Sequence, residues 1–343
     1  MAQVPELVKT IHPQFSGQIV LVRNGERAKW NYGLANRNWQ LKMQDQAVMD
    51  IASLNKSFIA NLCLQAVEEG RWELNQSLNS MLENLGLDNR FHDSIRLIDL
   101  LIHRSGLRDY DAVPSNMQAY GFQSFKRSRF NNKGYLDFIE QLPANLPHTD
   151  FLYSNFAYHL LAVLLEELYQ EDFNSLLKRK ICIPLEMRST SSTISRQDPV
   201  PNLALAYQLQ GKTWKENDYI DLTLGRRIFS NALDLEKWLR SKGGSTLVAE
   251  NLATEILKNH WEKINPKYSY GLGWVPYKVG EHYPMGDLNL KASYFIHGGS
   301  TEGYQSIAVS VNEGETLLVI LSNSGEGQKV FELAKSILHE IYP

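Results

Sequence analysis

Segments with the pattern of β-strands lie at both ends of this 343-residue chain, and helical patterns fill the long stretch between them. Near the N-terminus two β-like runs flank Asn24-Gly25, a pair typical of tight hairpins. Near the C-terminus, alternation and apolar runs predict strands over 292–296, 304–311 and 316–321. If both ends contribute strands to one sheet, the middle of the chain must form an insertion between them.

The middle of the chain follows the apolar spacing of helices. Phe58–Val67 is apolar almost all round, which predicts a buried helix that Gly70 ends. Residues 189–195 are rich in Ser and Thr, which predicts a loop. Helical spacing also predicts helices over 94–103, 157–168, 233–241 and 331–341.

These patterns predict an α/β (α+β) fold with two domains. Residues 1–70 and 245–343 are expected to form a discontinuous domain around one sheet. Residues 71–244 are expected to form an inserted, mostly helical domain. A chain of this length can bury a substantial core without disulfides or metals.

Composition argues against several classes of function. The chain has 35 Lys and Arg against 38 Asp and Glu, so no basic excess favours binding to nucleic acid. Two cysteines, Cys63 and Cys182, cannot form a disulfide framework. No apolar run approaches the roughly 20 residues of a membrane span. The first residues lack the segments of a signal peptide, so we expect a cytoplasmic chain, or a periplasmic one if a leader was removed.

Ser53-Leu-Asn-Lys56 is an S-x-x-K motif at the start of the predicted buried helix. A spacing of three residues places both side chains on one helix face, so Lys56 can reach the Ser53 hydroxyl. A lysine among apolar neighbours loses stabilisation of its charge and can act as a base. A second copy, Ser175–Lys178, lies in a polar helix and is interpreted as a solvated surface. Alone, such a motif is more often structural than catalytic.

Two further motifs could complete a reactive site. Tyr153-Ser-Asn155 precedes the apolar helix over 157–168, and it offers a phenol that can transfer protons and an amide that can donate and accept hydrogen bonds. Its structural alternative is a buried tyrosine followed by an asparagine cap. His297-Gly-Gly follows a predicted strand, where two glycines would let a substrate backbone lie close to the strand edge. Its structural alternative is a histidine beside a turn.

In this order the three motifs resemble those of the serine β-lactamase and penicillin-binding protein superfamily. The closest resemblance is to the branch of class C β-lactamases, D-alanyl-D-alanine carboxypeptidases and related esterases. It covers about residues 17–321 and implies a β-lactamase-like fold, in which a mostly antiparallel sheet flanked by helices is built from both termini. The supporting stretches are Ile51–Lys56, Leu100–Leu107, Phe151–Asn155, Pro184–Met187, Tyr270–Trp274 and His297–Gly303.

The resemblance also implies catalytic roles. Ser53 matches the nucleophile, and Lys56 and Tyr153 match the pair that handles its proton. Asn155 matches the residue that orients the lysine and the substrate amide. The backbone N–H groups of Ser53 and Ser300 match the oxyanion hole.

His297, followed by Gly298 and Gly299, stands where the family usually has the lysine of K-T-G, the residue that faces a substrate carboxylate. The reference pKa of histidine is near 6.5, against about 10.4 for lysine. We therefore expect weak carboxylate binding that weakens further between about pH 6 and pH 8, and relatively good turnover of neutral esters.

Three other positions depart from the family pattern. Arg104 replaces a small polar residue, and His148 and Glu186 replace glycines. His148 and Glu186 are expected to lie in loops and to affect loop shape. The departures leave the catalytic set intact and bear on the substrate range alone.

The sequence therefore predicts a serine hydrolase that acts through an acyl-Ser53 intermediate on a β-lactam, a D-amino peptide or a small ester. Two alternatives stay open: a non-catalytic binding or scaffold protein with this fold, and an acyltransferase that uses the same intermediate. Motifs for zinc, nucleotides and dinucleotides are missing, so we expect no metal or cofactor. The expected partner is a small-molecule or peptide substrate, and the oligomeric state is left open.

Overall fold

We describe the protein from a computed structural model. The described residues are 3–118, 125, 129–193, 198–217, 226–301 and 303–343. Residues 194 and 195 of the predicted loop, and residue 302 after the H-G-G motif, lie outside them. The strands are β1 (Gly17–Arg23), β2 (Glu26–Tyr32), β3 (Leu34–Asn36), β4 (Leu41–Lys42), β5 (Met49–Asp50), β6 (Ser191–Thr193), β7 (Ala206–Gln210), β8 (Thr213–Asn217), β9 (Arg227–Ser230), β10 (Val275–Tyr277), β11 (Tyr294–Thr301), β12 (Tyr304–Val311) and β13 (Thr316–Ser322).

Helices cover both faces of the main sheet and fill most of the middle of the chain. Within the described residues, the longest of them lacks the length and apolar character needed to cross a membrane. They are α1 (Val4–Ile11), α2 (Asn55–Glu68), α3 (Leu78–Asn84), α4 (Leu97–Leu101), α5 (Asn132–Glu140), α6 (Asn155–Tyr169), α7 (Phe173–Leu177), α8 (Ala232–Arg240), α9 (Glu250–Ile256) and α10 (Gly327–His339).

The main sheet is built from both ends of the chain, as the sequence predicts. Its six strands run in the order β10-β11-β12-β13-β1-β2, and each neighbouring pair is antiparallel. The hairpin between β1 and β2 turns at Asn24 and Gly25, whose φ angles of 51° and 84° lie in the left-handed region. Tight hairpins of this kind require that region, which Asn and Gly adopt most readily.

Buried apolar residues form a core on each face of this sheet. One core joins the sheet to α2, α6 and α8, and the other joins it to α1 and α10. The strand β12 is buried along its whole length because helices cover both of its faces. Its alternation is visible in the packing: Ile307 and Val309 contact the α10 side, whereas Ala308 contacts the α2 side.

The structure corrects three details of the predicted elements. The mostly helical middle also contains β6 and β9, which form a small sheet with β5 of the N-terminal segment, and the hairpin β7-β8. These strands of two to five residues are too short to show a period. The predicted loop 189–195 contains β6. The strand predicted over 292–296 is β11, which begins at Tyr294 and continues through the H-G-G motif to Thr301.

Candidate active site

Ser53 lies on a short 3₁₀ turn, Ala52–Leu54, that leads directly into α2. Ala52 adopts a φ of 50°, which is unfavourable for a residue with a Cβ atom. Its N–H donates to Asp50 Oδ1 at 2.8 Å, and the Asp50 carboxylate accepts from Nε of Arg227 at 2.7 Å and forms an ion pair with Nη2 at 2.6 Å. This buried ion pair holds the strained turn that presents Ser53.

Lys56, one turn further on, is the base candidate. Its Nζ lies 3.3 Å from Ser53 Oγ and donates to Asn155 Oδ1 at 2.7 Å. The side chain is only 2% exposed. Burial lowers the pKa of Lys56 to about 7, with Asp109 opposing the shift and Arg227 adding to it. Near neutral pH a large fraction of Lys56 is therefore uncharged and able to accept the Ser53 proton.

Tyr153 also lies beside Ser53 and shares a hydrogen bond with it. Lys56 Nζ lies 4.7 Å from the centroid of its ring. Burial raises the pKa of Tyr153 above its ordinary value, Asp109 raises it further, and the bond to Ser53 opposes the shift. The phenol thus stays protonated at neutral pH, so it can donate a proton, while Lys56 is the better base.

Asn155 is the first residue of α6, and Ser154 caps that helix by accepting from the Ala157 N–H at 3.0 Å. Asp109 Oδ2 accepts from both the backbone N–H and the side-chain Nδ2 of Asn155, at 2.9 and 2.7 Å. Because Nδ2 is held in this way, the amide must turn Oδ1 toward Lys56. Sequence reasoning missed Asp109, since a single acidic residue in a loop carries no pattern.

His297 is 3% exposed, and both of its ring nitrogens are bonded within the protein. Nδ1 lies 2.7 Å from the carbonyl oxygen of Gly298, which can only accept, so Nδ1 carries the proton. Nε2 lies 3.1 Å from the Tyr270 hydroxyl and accepts from it. Burial lowers the pKa of His297 to about 3, with a further contribution from Lys56. The expected histidine titration between pH 6 and pH 8 is therefore wrong.

Gly299 brings β11 directly against the turn that carries Ser53. A Cβ atom at this position would lie 2.5 Å from the Ile51 carbonyl oxygen and 2.7 Å from the Ser53 nitrogen. The sequence predicted space here for a substrate backbone, but at Gly299 the space is filled by the protein's own chain. Ser300 follows and lines the same cavities as Ser53. Its place in an oxyanion hole stays a prediction.

Two cavities meet at Ser53 and Ser300. The first, of about 620 Å³, also contains Lys56 and Asn155 in its wall. The second, of about 540 Å³, contains Tyr153 and His297. The residues singled out from the sequence are thus brought together around one serine.

The other departures from the family pattern have partners of their own. His148 Nε2 and Arg104 Nε lie 3.1 and 3.9 Å from the buried carboxylate of Asp99. His148 and Glu186 have φ angles of 68° and 55°. Both therefore adopt the left-handed backbone conformation, which glycine adopts most readily. Among the described residues, no group of three or more His, Cys, Asp or Glu is placed to hold a metal ion.

Comparison with known proteins places the chain in one family. A family model described as Beta-lactamase matches residues 12–340. The chain belongs to the beta-lactamase family. A beta-lactamase from Providencia stuartii is 24% identical over 94% of this chain and 86% of its own length. Protein flp from Staphylococcus aureus is 22% identical over 89% of this chain, which spans 59% of that protein.

Solved structures in the family share the fold at low sequence identity. A penicillin-binding protein from Bacillus halodurans superposes with a TM-score of 0.81 at 19% identity, covering 98% of this chain and 99% of the other. A D-amino acid amidase from Ochrobactrum anthropi SV3 gives 0.79 at 19% identity, with 98% of each chain covered. The predicted β-lactamase-like fold is therefore confirmed.

Proposed function

We propose that the protein hydrolyses small acyl substrates through a covalent acyl-enzyme on Ser53. The observation that carries this proposal is the buried Lys56, whose amine lies 3.3 Å from the Ser53 hydroxyl and whose pKa is lowered to about 7. Candidate substrates are β-lactams, D-amino peptides and small esters. The family resemblance supports all three, and the neutral state of His297 favours substrates without a carboxylate.

In the acylation step, neutral Lys56 accepts the proton of Ser53 as Oγ bonds to the substrate carbonyl carbon. The carbonyl oxygen gains negative charge, which the backbone N–H groups of Ser53 and Ser300 would stabilise. The bond to the leaving group then breaks, and the departing oxygen or nitrogen takes the proton of the Tyr153 hydroxyl. The Lys56 ammonium returns a proton to Tyr153, so both groups recover their starting states.

Deacylation repeats these steps with water as the nucleophile. Lys56 accepts a proton from water as the water oxygen bonds to the acyl carbon. The bond to Ser53 Oγ breaks, and the serine regains a proton from the Lys56–Tyr153 pair. The acid product leaves, and the enzyme returns to its starting state. With an amine or an alcohol in place of water, the same step would be acyl transfer.

Intact-protein mass spectrometry after exposure to a fluorophosphonate, and separately to penicillin, tests the proposal. We expect the fluorophosphonate to add one phosphonyl group with loss of fluoride, and peptide mapping to place it on Ser53. Ser53→Ala should abolish labelling. The matched control is Ser175→Ala, because Ser175 belongs to the second S-x-x-K motif but bonds to Asp172 at the protein surface. Labelling of another residue, or none at all, would overturn the assignment.

A further inference from the structure

Tyr153 lies on a stretch of chain that belongs to no helix or strand. Residues 151–154 lead directly into α6, which begins at Asn155. In the proposed mechanism the Tyr153 hydroxyl gives its proton to the leaving group, and general acid catalysis requires hydrogen-bond distance to the atom that receives the proton. Because regular secondary structure does not hold this side chain, contacts from elsewhere in the fold must position it.

His103 contacts the residues immediately before and after Tyr153 as well as its ring. The backbone carbonyl oxygen of His103 accepts from the Leu152 N–H at 2.9 Å. Its Nδ1 accepts from the Ser154 N–H at 3.2 Å. Its ring lies against the Tyr153 ring, with the two centroids 4.3 Å apart and the planes inclined by 34°. One residue therefore holds the chain on both sides of Tyr153 and also packs against the phenol.

The backbone of His103 has a conformation that suits glycine better than histidine. Its φ angle is 60°, and it follows the end of α4, where the Arg104 N–H donates to the Asp99 carbonyl oxygen at 2.8 Å. Helices with this bond usually end with glycine at the left-handed position, since a Cβ atom there is unfavourable. The helix end alone would favour glycine, so the contacts of the side chain explain why a histidine is present.

The protonation state of His103 fits these contacts. Nδ1 must lack a proton in order to accept from the Ser154 N–H, so the neutral ring carries its proton on Nε2. Burial lowers the pKa of His103 well below its ordinary value, and Lys56 and His297 lower it further. Nε2 is buried and has no hydrogen-bond partner among the described residues. Unpaired buried groups and backbone strain both cost stability, and strain of this kind is concentrated at functional sites.

His103 does not reach the substrate itself. It is fully buried, and it lines neither of the two cavities that meet at Ser53. Three other aromatic rings surround it at centroid distances of 5.6, 5.2 and 4.7 Å, those of Phe151, Tyr158 and Tyr270. Resting on the proposed function, we infer that His103 is a positioning residue for Tyr153. Its Nδ1 and its ring hold the phenol where it can protonate the leaving group.

Two acetate esters with different leaving groups test this inference. Ethyl acetate releases an alkoxide that must be protonated, whereas p-nitrophenyl acetate releases a stable phenolate that needs no proton from Tyr153. Both form the same acetyl-enzyme, so the ratio of their kcat/KM values reports protonation of the leaving group during acylation. Tyr153→Phe sets the scale. We expect it to lower kcat/KM for ethyl acetate by about 10²–10⁴-fold and to affect p-nitrophenyl acetate much less.

His103→Gly removes the ring and Nδ1 but keeps a backbone that glycine adopts readily. We expect kcat/KM for ethyl acetate to fall by about tenfold or more, and kcat/KM for p-nitrophenyl acetate to fall much less. Added to Tyr153→Phe, the same substitution should cause little further loss for ethyl acetate, because the group that it positions is already missing. His103→Asn should recover part of the loss, since its Oδ1 can replace Nδ1 as an acceptor and asparagine tolerates a left-handed backbone.

His148→Gly is the matched control. His148 also has a left-handed φ angle, 68°, and its N–H donates to the Arg104 carbonyl oxygen at 3.0 Å, so it belongs to the same pair of loops. Its ring, however, lies beside Asp99. We expect His148→Gly to leave the ratio of the two esters unchanged.

The outcomes separate this inference from the proposed function. If His103→Gly lowers kcat/KM equally for both esters, or lowers neither, the positioning role is wrong, while fluorophosphonate labelling of Ser53 still supports the serine hydrolase. If His103→Gly does not fold, His103→Phe keeps a ring and removes the acceptor. The same fall in the ratio is then expected, and an unchanged ratio overturns the inference. If wild-type Ser53 is not labelled and neither ester is hydrolysed, the proposed function fails and the positioning role fails with it.

Discussion

The surroundings of Lys56 determine the pH at which this site can work. Burial lowers its pKa, and two charged groups act on it in opposite directions: Asp109 raises the pKa and Arg227 lowers it. The other titratable groups facing it are neutral at pH 7, namely the rings of Tyr153 and Tyr158 and the histidines His103 and His297. Asp109 is therefore the negative charge that moderates the basicity of Lys56, besides holding Asn155.

Asp109→Asn separates the effect of the Asp109 charge on Lys56 from the effect of its hydrogen bonds with Asn155. Asparagine keeps an oxygen for the two Asn155 donors but removes the attraction that favours the Lys56 ammonium. Since acylation needs neutral Lys56, wild-type kcat/KM should rise with pH through an apparent pKa near 7. We expect Asp109→Asn to shift this rise to lower pH, measured with a neutral ester between pH 5 and pH 9.

Asp109→Ala removes both the charge and the acceptor oxygens. It should shift the profile in the same direction and also lower the plateau by about tenfold or more, because the Asn155 amide loses its fixed orientation. If Asp109 had a purely structural role, its replacement would lower kcat/KM equally at every pH. A profile of unchanged shape in Asp109→Asn would therefore refute the assigned role.

Lys56 and Tyr153 are expected to act as one proton-transfer unit. Both contact the Ser53 hydroxyl. In the proposed mechanism Lys56 accepts the serine proton, and it later replaces the proton that Tyr153 gives to the leaving group. Lys56→Ala and Tyr153→Phe should each lower kcat by about 10²–10⁴-fold. The double variant should lose far less than the product of the two, because the unit fails when either member is missing. Multiplicative losses would mean that the two residues act independently.

Residues that belong to a spaced motif could be predicted from the sequence, and isolated ones could not. Ser53 and Lys56 were identified because a spacing of three places them on one face, and the structure brings them within 3.3 Å. Asp109 and Tyr270 were missed as functional positions, since each reaches the site only through the tertiary fold. The pH range in which His297 titrates was predicted wrongly, because burial, which the motif does not encode, lowers its pKa.

At the scale of elements, the contact between β11 and the Ser53 turn fixes the geometry of the site. Gly299→Ala would place a methyl group 2.5 Å from the Ile51 carbonyl oxygen, a contact with backbone that cannot be relieved by rotating a side chain. The strand and the turn would have to separate. A misplacement of about 1 Å can lower activity roughly 10²-fold, and we expect at least that loss in kcat/KM for ethyl acetate.

Gly298→Ala is the matched control for this element. There the nearest atom to a new Cβ is the Ser306 carbonyl oxygen at 3.2 Å, and the methyl group points away from the turn. We expect less than about a tenfold loss for ethyl acetate, with circular dichroism confirming that both variants fold. Equal losses in the two variants would show that the close approach at Gly299 is not what positions Ser53.

Elements with a long, regular pattern were predicted well, and short ones were not. β12 was predicted with its observed limits, and the Asn24-Gly25 hairpin forms as expected. The strand β9 was missed because four buried residues, only one of which is aliphatic, show neither alternation nor a run. β9 contains Arg227, which binds Asp50 beside the Ser53 turn. Because the strand was not predicted, this contact of the site was not predicted either.

At the scale of the whole molecule, the buried Lys56 that the proposed chemistry requires lowers the stability of the folded protein. Lys56 titrates near pH 7 when folded, against an ordinary value of 10.5. Between these values the unfolded chain binds one more proton than the folded protein, so stability rises with pH from about 7 to 10.5. Below about pH 7 both states carry the charge, and the cost of the buried lysine is fully present and constant.

Lys56→Met removes this cost while it keeps the length and the apolar stem of the side chain. We expect the variant to be inactive but more stable by about 1–3 kcal/mol at pH 7, less than the full shift because Asn155 loses its donor. The gain should shrink as the pH rises toward 10, since wild-type Lys56 then becomes the neutral group in both states. Urea unfolding at 25 °C and several pH values measures the difference, with the exposed Lys263→Met as the control. If the gain in stability did not change with pH, or if the variant were less stable at pH 7, burial would not disfavour the charged form of Lys56.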